Sequence, residues 1–216
     1  MFRKGSLFRE LPTLVVIALV VSLFIKSFLV QFFYIPSGSM ENTLQINDRV
    51  AVNKLPFVSG KINRGDVVVF RDPASWLPDA DTSTDKTWKS KVKEGLVQVG
   101  VLPNPAKQYL VKRVIGVAGD RVVCCKKKKI TINGKPIDEP YIFKGNKPSD
   151  ITFAITVEPG KIWVMGDHRG ASADSRYHQD DINKGQVPLS RVTGRVFGVI
   201  WPLKNAKIIH PINVLK

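Results

Sequence analysis

The chain has 216 residues, 44% hydrophobic and 24% charged, with 33 Lys and Arg against 18 Asp and Glu, a formal net charge of +15. That length holds one sizeable folded domain plus an anchor, and the composition excludes a disordered chain. The charge fits either a nucleic-acid partner or the surface of an anionic membrane and does not choose between them.

Residues 1–10 carry Arg3, Lys4 and Arg9, and Leu11–Val30 is an apolar run broken by one charge, Lys26. About 20 apolar residues span a hydrocarbon core, and a lysine near the far end can snorkel to the headgroups. The run is long for a secretory signal, and Phe32-Phe33-Tyr34-Ile35 follows where a small-x-small cleavage site would stand. The expectation is one transmembrane helix over 11–32. Arg3, Lys4 and Arg9 keep 1–10 in the cytoplasm. Long domains translocate largely regardless of charge, so residues 33–216 are expected outside it.

Ile35-Pro36-Ser37-Gly38-Ser39-Met40 comes next. Proline fixes the approach and glycine permits the turn, a geometry that can present a hydroxyl beside backbone N–H groups. On its own a Ser-Gly-Ser tripeptide is most often only a turn. Beyond it the pattern is β. Arg49–Leu55 alternates loosely, and Val67-Val68-Val69-Phe70, fed by the turn Arg64-Gly65-Asp66, reads as a buried strand. Residues 72–107 differ in composition and are expected to be a surface insertion with one short helix around 87–99 and no chemistry.

Tyr109–Val117 is an apolar strand with Lys112 and Arg113 in its middle. Neighbouring strand side chains point to opposite faces, so the two cannot share one. A buried lysine is costly, and the chain by itself favours an edge strand with both bases in water. Arg121–Cys125 and Ile130–Gly134 flank Lys126–Lys129 as a hairpin with a charged tip, and Asn133-Gly134 signals a second hairpin. Cys124 and Cys125 are adjacent, so a bridge between them closes almost no loop, and no metal site follows from them. Strands over 161–166 and 194–202 complete a mainly β, antiparallel domain without internal repeats.

A nucleophilic serine needs a base. His168, His178 and His210 have no evident buried carboxylate partner in sequence. A lysine serves if it is neutral, which lowers its pKa by roughly 3 units at a desolvation cost of about 4 kcal/mol. Lys112, in its apolar strand, is the best candidate. The loop 167–177 packs Asp167, Arg169, Ser172, Asp174, Ser175 and Arg176 together. It reads as a solvated loop or as a cross-braced network that fixes a site.

Four segments, in order and behind an apolar run, resemble bacterial type I signal peptidases, the membrane-anchored Ser/Lys endopeptidases. They are Pro36–Leu44, Gly65–Phe70, Lys112–Asp120 and Gly166–Tyr177. The resemblance implies that Ser39 is the nucleophile and Lys112 the general base. It implies an oxyanion hole made by the Ser37 hydroxyl and the Ser39 N–H, and a Ser172 hydroxyl that orients the lysine. Asp174 with Arg176, and Asp167 with Arg169, would brace the loop. Phe33, Ile35, Pro36, Met40, Leu44 and Val111 would line the substrate pocket. The implied substrates are preprotein signal peptides with small residues at −1 and −3, bound as an added strand. No metal, nucleotide or other cofactor is implied. Membrane lipid is the other implied partner, with Lys126–Lys129 placed to meet anionic headgroups; nucleic acid is not. Asn42 stands where proline is common in the family, and His168 where asparagine is common. Two alternatives compete: a self-cleaving repressor-type Ser/Lys protease, and a membrane-tethered β domain that binds anionic polymer or lipid without catalysis.

Overall fold

The computed structural model describes residues 7–55, 62–78, 109–126 and 129–215, with side-chain environments inside its first helix over 10–21. That helix, α1, runs Leu7–Phe28. Among the described residues no helix is long and apolar enough to cross a membrane. The span expected over 11–32 is also too long at its far end, because strand β1 occupies Val30–Tyr34. Phe33 is buried there while Phe32 and Tyr34 are half exposed. This period of two suits a pleated ribbon rather than a helix.

β1 opens a large antiparallel sheet. It pairs with β2 (Arg49–Asn53), which pairs with β11 (Val192–Trp201). Then follow β3 (Val67–Arg71), β4 (Tyr109–Val117), β9 (Lys161–Met165) and β10 (Val187–Pro188), while β12 (Lys207–Ile208) pairs with β11. A smaller antiparallel sheet is ordered β7 (Lys135–Pro136), β6 (Lys129–Ile132), β5 (Arg121–Lys126), β8 (Phe153–Thr156). Its β5–β6 pairing has the register Val122↔Ile132, and the hairpin tip at 127–128 lies outside the described residues. Asn133 and Gly134 both have positive φ, 52° and 80°, as the tight turn between β6 and β7 requires. Cys124 and Cys125 are joined by a disulfide within β5.

The apolar run Val67–Phe70 is buried on both faces. Val67 and Val69 join Phe33, Ile35, Met40, Leu44 and Val50 in one cluster, and Val68 and Phe70 join Trp76, Leu110 and Val114 in another. β3 is thus an inner strand, and so is its neighbour β4, held between β3 and β9. This overturns the edge-strand expectation for Lys112 and Arg113, which are 3% and 1% exposed. The surface insertion expected over 72–107 begins with a hydrogen-bonded turn. Asp72 accepts the N–H groups of Ala74, Trp76 and Leu77, and Trp76 packs edge-on against Phe70. Residues 79–107, with the helix expected at 87–99, lie outside the described residues.

Candidate active site

Ser39 sits in a single 3-10 turn, Gly38–Met40, three residues beyond the end of β1. Lys112 projects from the middle of β4. The lysine Nζ donates to Ser39 Oγ over 2.6 Å, and both residues are buried. Burial pushes the Lys112 pKa down to about 8, against the opposing pull of Asp174 and Asp167. Withdrawal from water penalises the ammonium form, and the two carboxylates recover only part of that penalty because each is already paired with an arginine. Among the described residues no histidine ring is hydrogen-bonded to Ser39 Oγ. His178 stacks on Trp76, His210 is exposed, and His168 Nδ1 is 2.8 Å from Glu41 Oε2.

Ser37 caps the 3-10 turn in extended conformation, but its hydroxyl makes no capping hydrogen bond. It lies 3.4 Å from Ser39 Oγ instead. The turn is locked to the loop after β9 from two sides. The His168 N–H donates to Ser39 O at 3.1 Å, and Thr43 Oγ1 donates to Asp167 Oδ2 at 2.5 Å. A Cβ on Gly166 would lie 2.5 Å from both Ser39 O and Ser172 Cβ, so the backbones meet where only glycine fits.

The loop 167–177 is a network, and its pairing differs in part from the expected one. Asp174 and Arg176 do pair, through Nε–Oδ1 at 2.8 Å and Nη2–Oδ2 at 2.9 Å. Asp174 Oδ2 also accepts the Gly166 N–H and the Ser172 hydroxyl, at 2.9 and 2.8 Å. The Ser172 hydroxyl proton is thus committed to Asp174, and toward a lysine its oxygen can only accept. Asp167 and Arg169 do not pair with each other. Asp167 takes a two-pronged bond from Arg113, Nε–Oδ1 2.8 Å and Nη2–Oδ2 2.7 Å, and Arg169 reaches Glu139 at 2.5 Å. The cause is strand alternation: with Lys112 turned to Ser39, Arg113 points elsewhere and meets Asp167, Gly65 O and the ring of Tyr141.

Phe33, Ile35, Met40 and Leu44 share one buried cluster with Val111 packed against it, and Pro36 is exposed beside them. Five of the six residues expected at the pocket thus fall in one apolar cluster, and Pro36 is not part of it. Sequence reasoning gave no role to Arg113, Glu139, Tyr141, Thr43 or Glu41. The one signal available was for Arg113, since a base beside a buried Lys112 must face the other way. Asn42 has φ 82°, and its Nδ2 donates to Tyr141 O at 3.0 Å. Proline, locked near −65°, cannot adopt that conformation, whereas asparagine tolerates it. Among the described residues no group of acidic, histidine or cysteine side chains is arranged to hold a metal.

The family model for signal peptidase, peptidase S26, matches residues 8–201. Signal peptidase I of Mycobacterium tuberculosis is 36% identical over 230 residues, covering 97% of this chain and 78% of its own. A relative from Mycobacterium leprae is also 36% identical, over 93% of this chain and 78% of its own. A crystal structure of signal peptidase I from Enterococcus faecalis superposes with a TM-score of 0.39 at 22% identity, over 62% of this chain and 96% of that one. The match runs from the first helix through the Ser39 turn, β4 and the loop after β9 to the last long strand, and it leaves neither competing reading in place: the chain belongs to the S26 family of signal peptidases, serine peptidases of protein export.

Proposed function

We propose that this signal peptidase cleaves preproteins through Ser39 and Lys112. The observation that carries the assignment is the 2.6 Å contact between a buried lysine amine and a serine hydroxyl, with the lysine pKa brought down to about 8. Neutral Lys112 takes the proton from Ser39 as Oγ attacks the scissile carbonyl. The developing oxyanion is met by the Ser39 N–H and the Ser37 hydroxyl, which is spared from helix capping. Lys112 then returns the proton to the leaving amine. In the second half-reaction it takes a proton from water, which hydrolyses the acyl-enzyme. Asp174, which takes the Ser172 hydroxyl and pairs with Arg176, and Asp167 with Arg113 fix the loop on which this depends.

The substrate lies extended beside β1 and β4, with its small −1 and −3 side chains toward Phe33, Ile35, Pro36, Met40, Leu44 and Val111. Residues 1–10 stay in the cytoplasm, α1 anchors the chain, and residues from 33 onward form the catalytic domain outside. Leu11, Leu14, Val15, Ile17, Leu19 and Val20 are each more than half exposed on α1, which supports lipid as their solvent. An aromatic–basic row supports lipid contact by the domain too: Tyr34 and Trp201, each about half exposed, both pair across the sheet with Arg49.

The test uses the full chain in detergent with a preprotein carrying Ala at −1 and −3. Wild type should release the mature protein, and Ser39→Ala and Lys112→Ala should not. Either variant cutting at the wild-type rate removes the assignment. Alkaline carbonate extraction of membranes tests the anchor, and release of the chain into the supernatant would overturn it.

A further inference from the structure

We infer that Glu41 and His168 form a strut that positions the Ser39 turn against the loop after β9, so that both are positioning residues for peptide cleavage. The inference rests on Ser39 being the nucleophile. Glu41 lies two residues beyond Ser39, and its carboxylate folds back over the turn: a Cβ on Gly38 would lie 2.9 Å from Glu41 Cδ and 3.0 Å from Oε2. That same Oε2 is 2.8 Å from His168 Nδ1. The His168 backbone N–H donates to Ser39 O at 3.1 Å. One residue thus grips the turn twice, by its main chain at the serine and by its side chain two residues later. The Phe143 ring, on the connection between β7 and β8, stacks on the imidazole at 4.1 Å and 17°, and the Phe143 N–H donates to Asp167 O at 3.0 Å, so the imidazole is backed by a second segment tied to the loop.

The need for such a strut follows from how the two reacting groups are mounted. Lys112 stands on an inner strand hydrogen-bonded on both sides. Ser39 stands on one short turn whose N-terminal cap supplies no side-chain hydrogen bond. A small tilt of that turn moves Oγ directly, and a misplacement of about 1 Å can cost a hundredfold in rate. Glu41 braces the turn on the Gly38 side, where glycine leaves room for the carboxylate. His168, a departure from the family pattern, supplies the other end.

The test compares Glu41→Ala, Glu41→Gln, His168→Ala, His168→Asn and Glu41→Ala/His168→Ala with wild type and Ser39→Ala, as full chains in detergent with a preprotein. Either alanine variant should lose about tenfold in kcat with KM within about twofold, since a positioning defect acts on the chemical step. The double variant should be no worse than the poorer single, because the two residues act through one contact. His168→Asn should recover to within about threefold of wild type, its amide still donating to the carboxylate. Glu41→Gln keeps the packing and an acceptor oxygen, so it too should stay within about threefold of wild type, and a loss in both conservative variants as large as in the alanine variants overturns the strut. Alanine variants with kcat within twofold of wild type, or losses that multiply in the double variant, overturn the strut. If Ser39→Ala still cuts, the nucleophile assignment fails and the strut fails with it; if Ser39→Ala is dead and the other variants are normal, the strut alone fails.

Discussion

The pH dependence of cleavage tests the Lys112 chemistry most directly. With a pKa of about 8 in place of 10.5, about one lysine in ten is neutral at pH 7 instead of about one in 3,000. The fraction of enzyme ready to act therefore rises about 300-fold. The plot of kcat/KM against pH reports the free enzyme's groups, so it should climb through an inflection near 8 and then level off. The same displacement has a stability consequence whose sign is fixed. Between pH 8 and 10.5 the unfolded chain keeps a proton that the folded chain has lost, so stability rises with pH across that window. Below pH 8 the fold carries the full penalty, about 3 kcal/mol. Lys112→Met removes it. That variant should be inactive yet more stable than wild type at pH 7 by up to about 3 kcal/mol, less what the hydrogen bond to Ser39 returned, and the gap should close between pH 8 and 10.5. Urea denaturation at pH 6.5, 7.5, 8.5 and 9.5 measures the gap. An inflection in kcat/KM near 10, or a Lys112→Met variant less stable than wild type at pH 7, would refute the reasoning.

Three further outcomes follow from the geometry around the dyad. Arg113→Ala strands Asp167 as a buried, uncompensated carboxylate, so it should cost about 3–5 kcal/mol in urea denaturation; a loss under 1 kcal/mol would mean that the pair is not closed in solution. Gly166→Ala drives a methyl group into Ser39 O and Ser172 Oγ, and kcat should fall about a hundredfold while far-UV circular dichroism stays native. Asn42→Pro restores the residue common in the family but demands a negative φ where the chain has 82°; it should lower the thermal midpoint, whereas Asn42→Gly should be tolerated, and a stabilised proline variant would show that the turn has another conformation.

Some of this arrangement was legible in the chain because it is local. The Val67–Phe70 run, the Asn133-Gly134 turn and the order of the four segments depend on residues near one another in sequence, and each appears where it was expected. What was hidden depends on distant pairings. Whether Lys112 and Arg113 were wet or dry turned on β4 lying between β3 and β9, and β9 begins 44 residues beyond the end of β4. Asp167 looked as well placed for Arg169 as for any other base, because the loop's composition records which charges are present and not which ones meet. The far end of α1 is hidden in the sequence for a related reason. Val30–Tyr34 is as apolar as a helix end, and only its pairing with Arg49–Asn53 makes it a strand.

The adjacency of Lys112 and Arg113 then takes on a physical meaning. The two bases begin with the same charge and comparable burial, and strand alternation sends them to different surroundings. Arg113 meets both oxygens of a carboxylate, a main-chain carbonyl, a threonine hydroxyl and an aromatic face. Every donor direction that matters is answered, and an arginine could not deprotonate in any case. Lys112 meets one serine hydroxyl, and the nearest carboxylates have already been claimed by Arg113 and Arg176. Desolvation therefore prevails at Lys112. Asp174 and Asp167 still pull the lysine toward the ammonium form, Arg176 opposes them directly, and Arg113 is bound to one of the two carboxylates. It follows that Asp167→Asn and Arg113→Met should differ in direction as well as size: the first removes a pull toward the ammonium form and moves the kcat/KM inflection down, and the second frees Asp167 and moves it up. Equal inflections in the two variants would break the link between the network and the base.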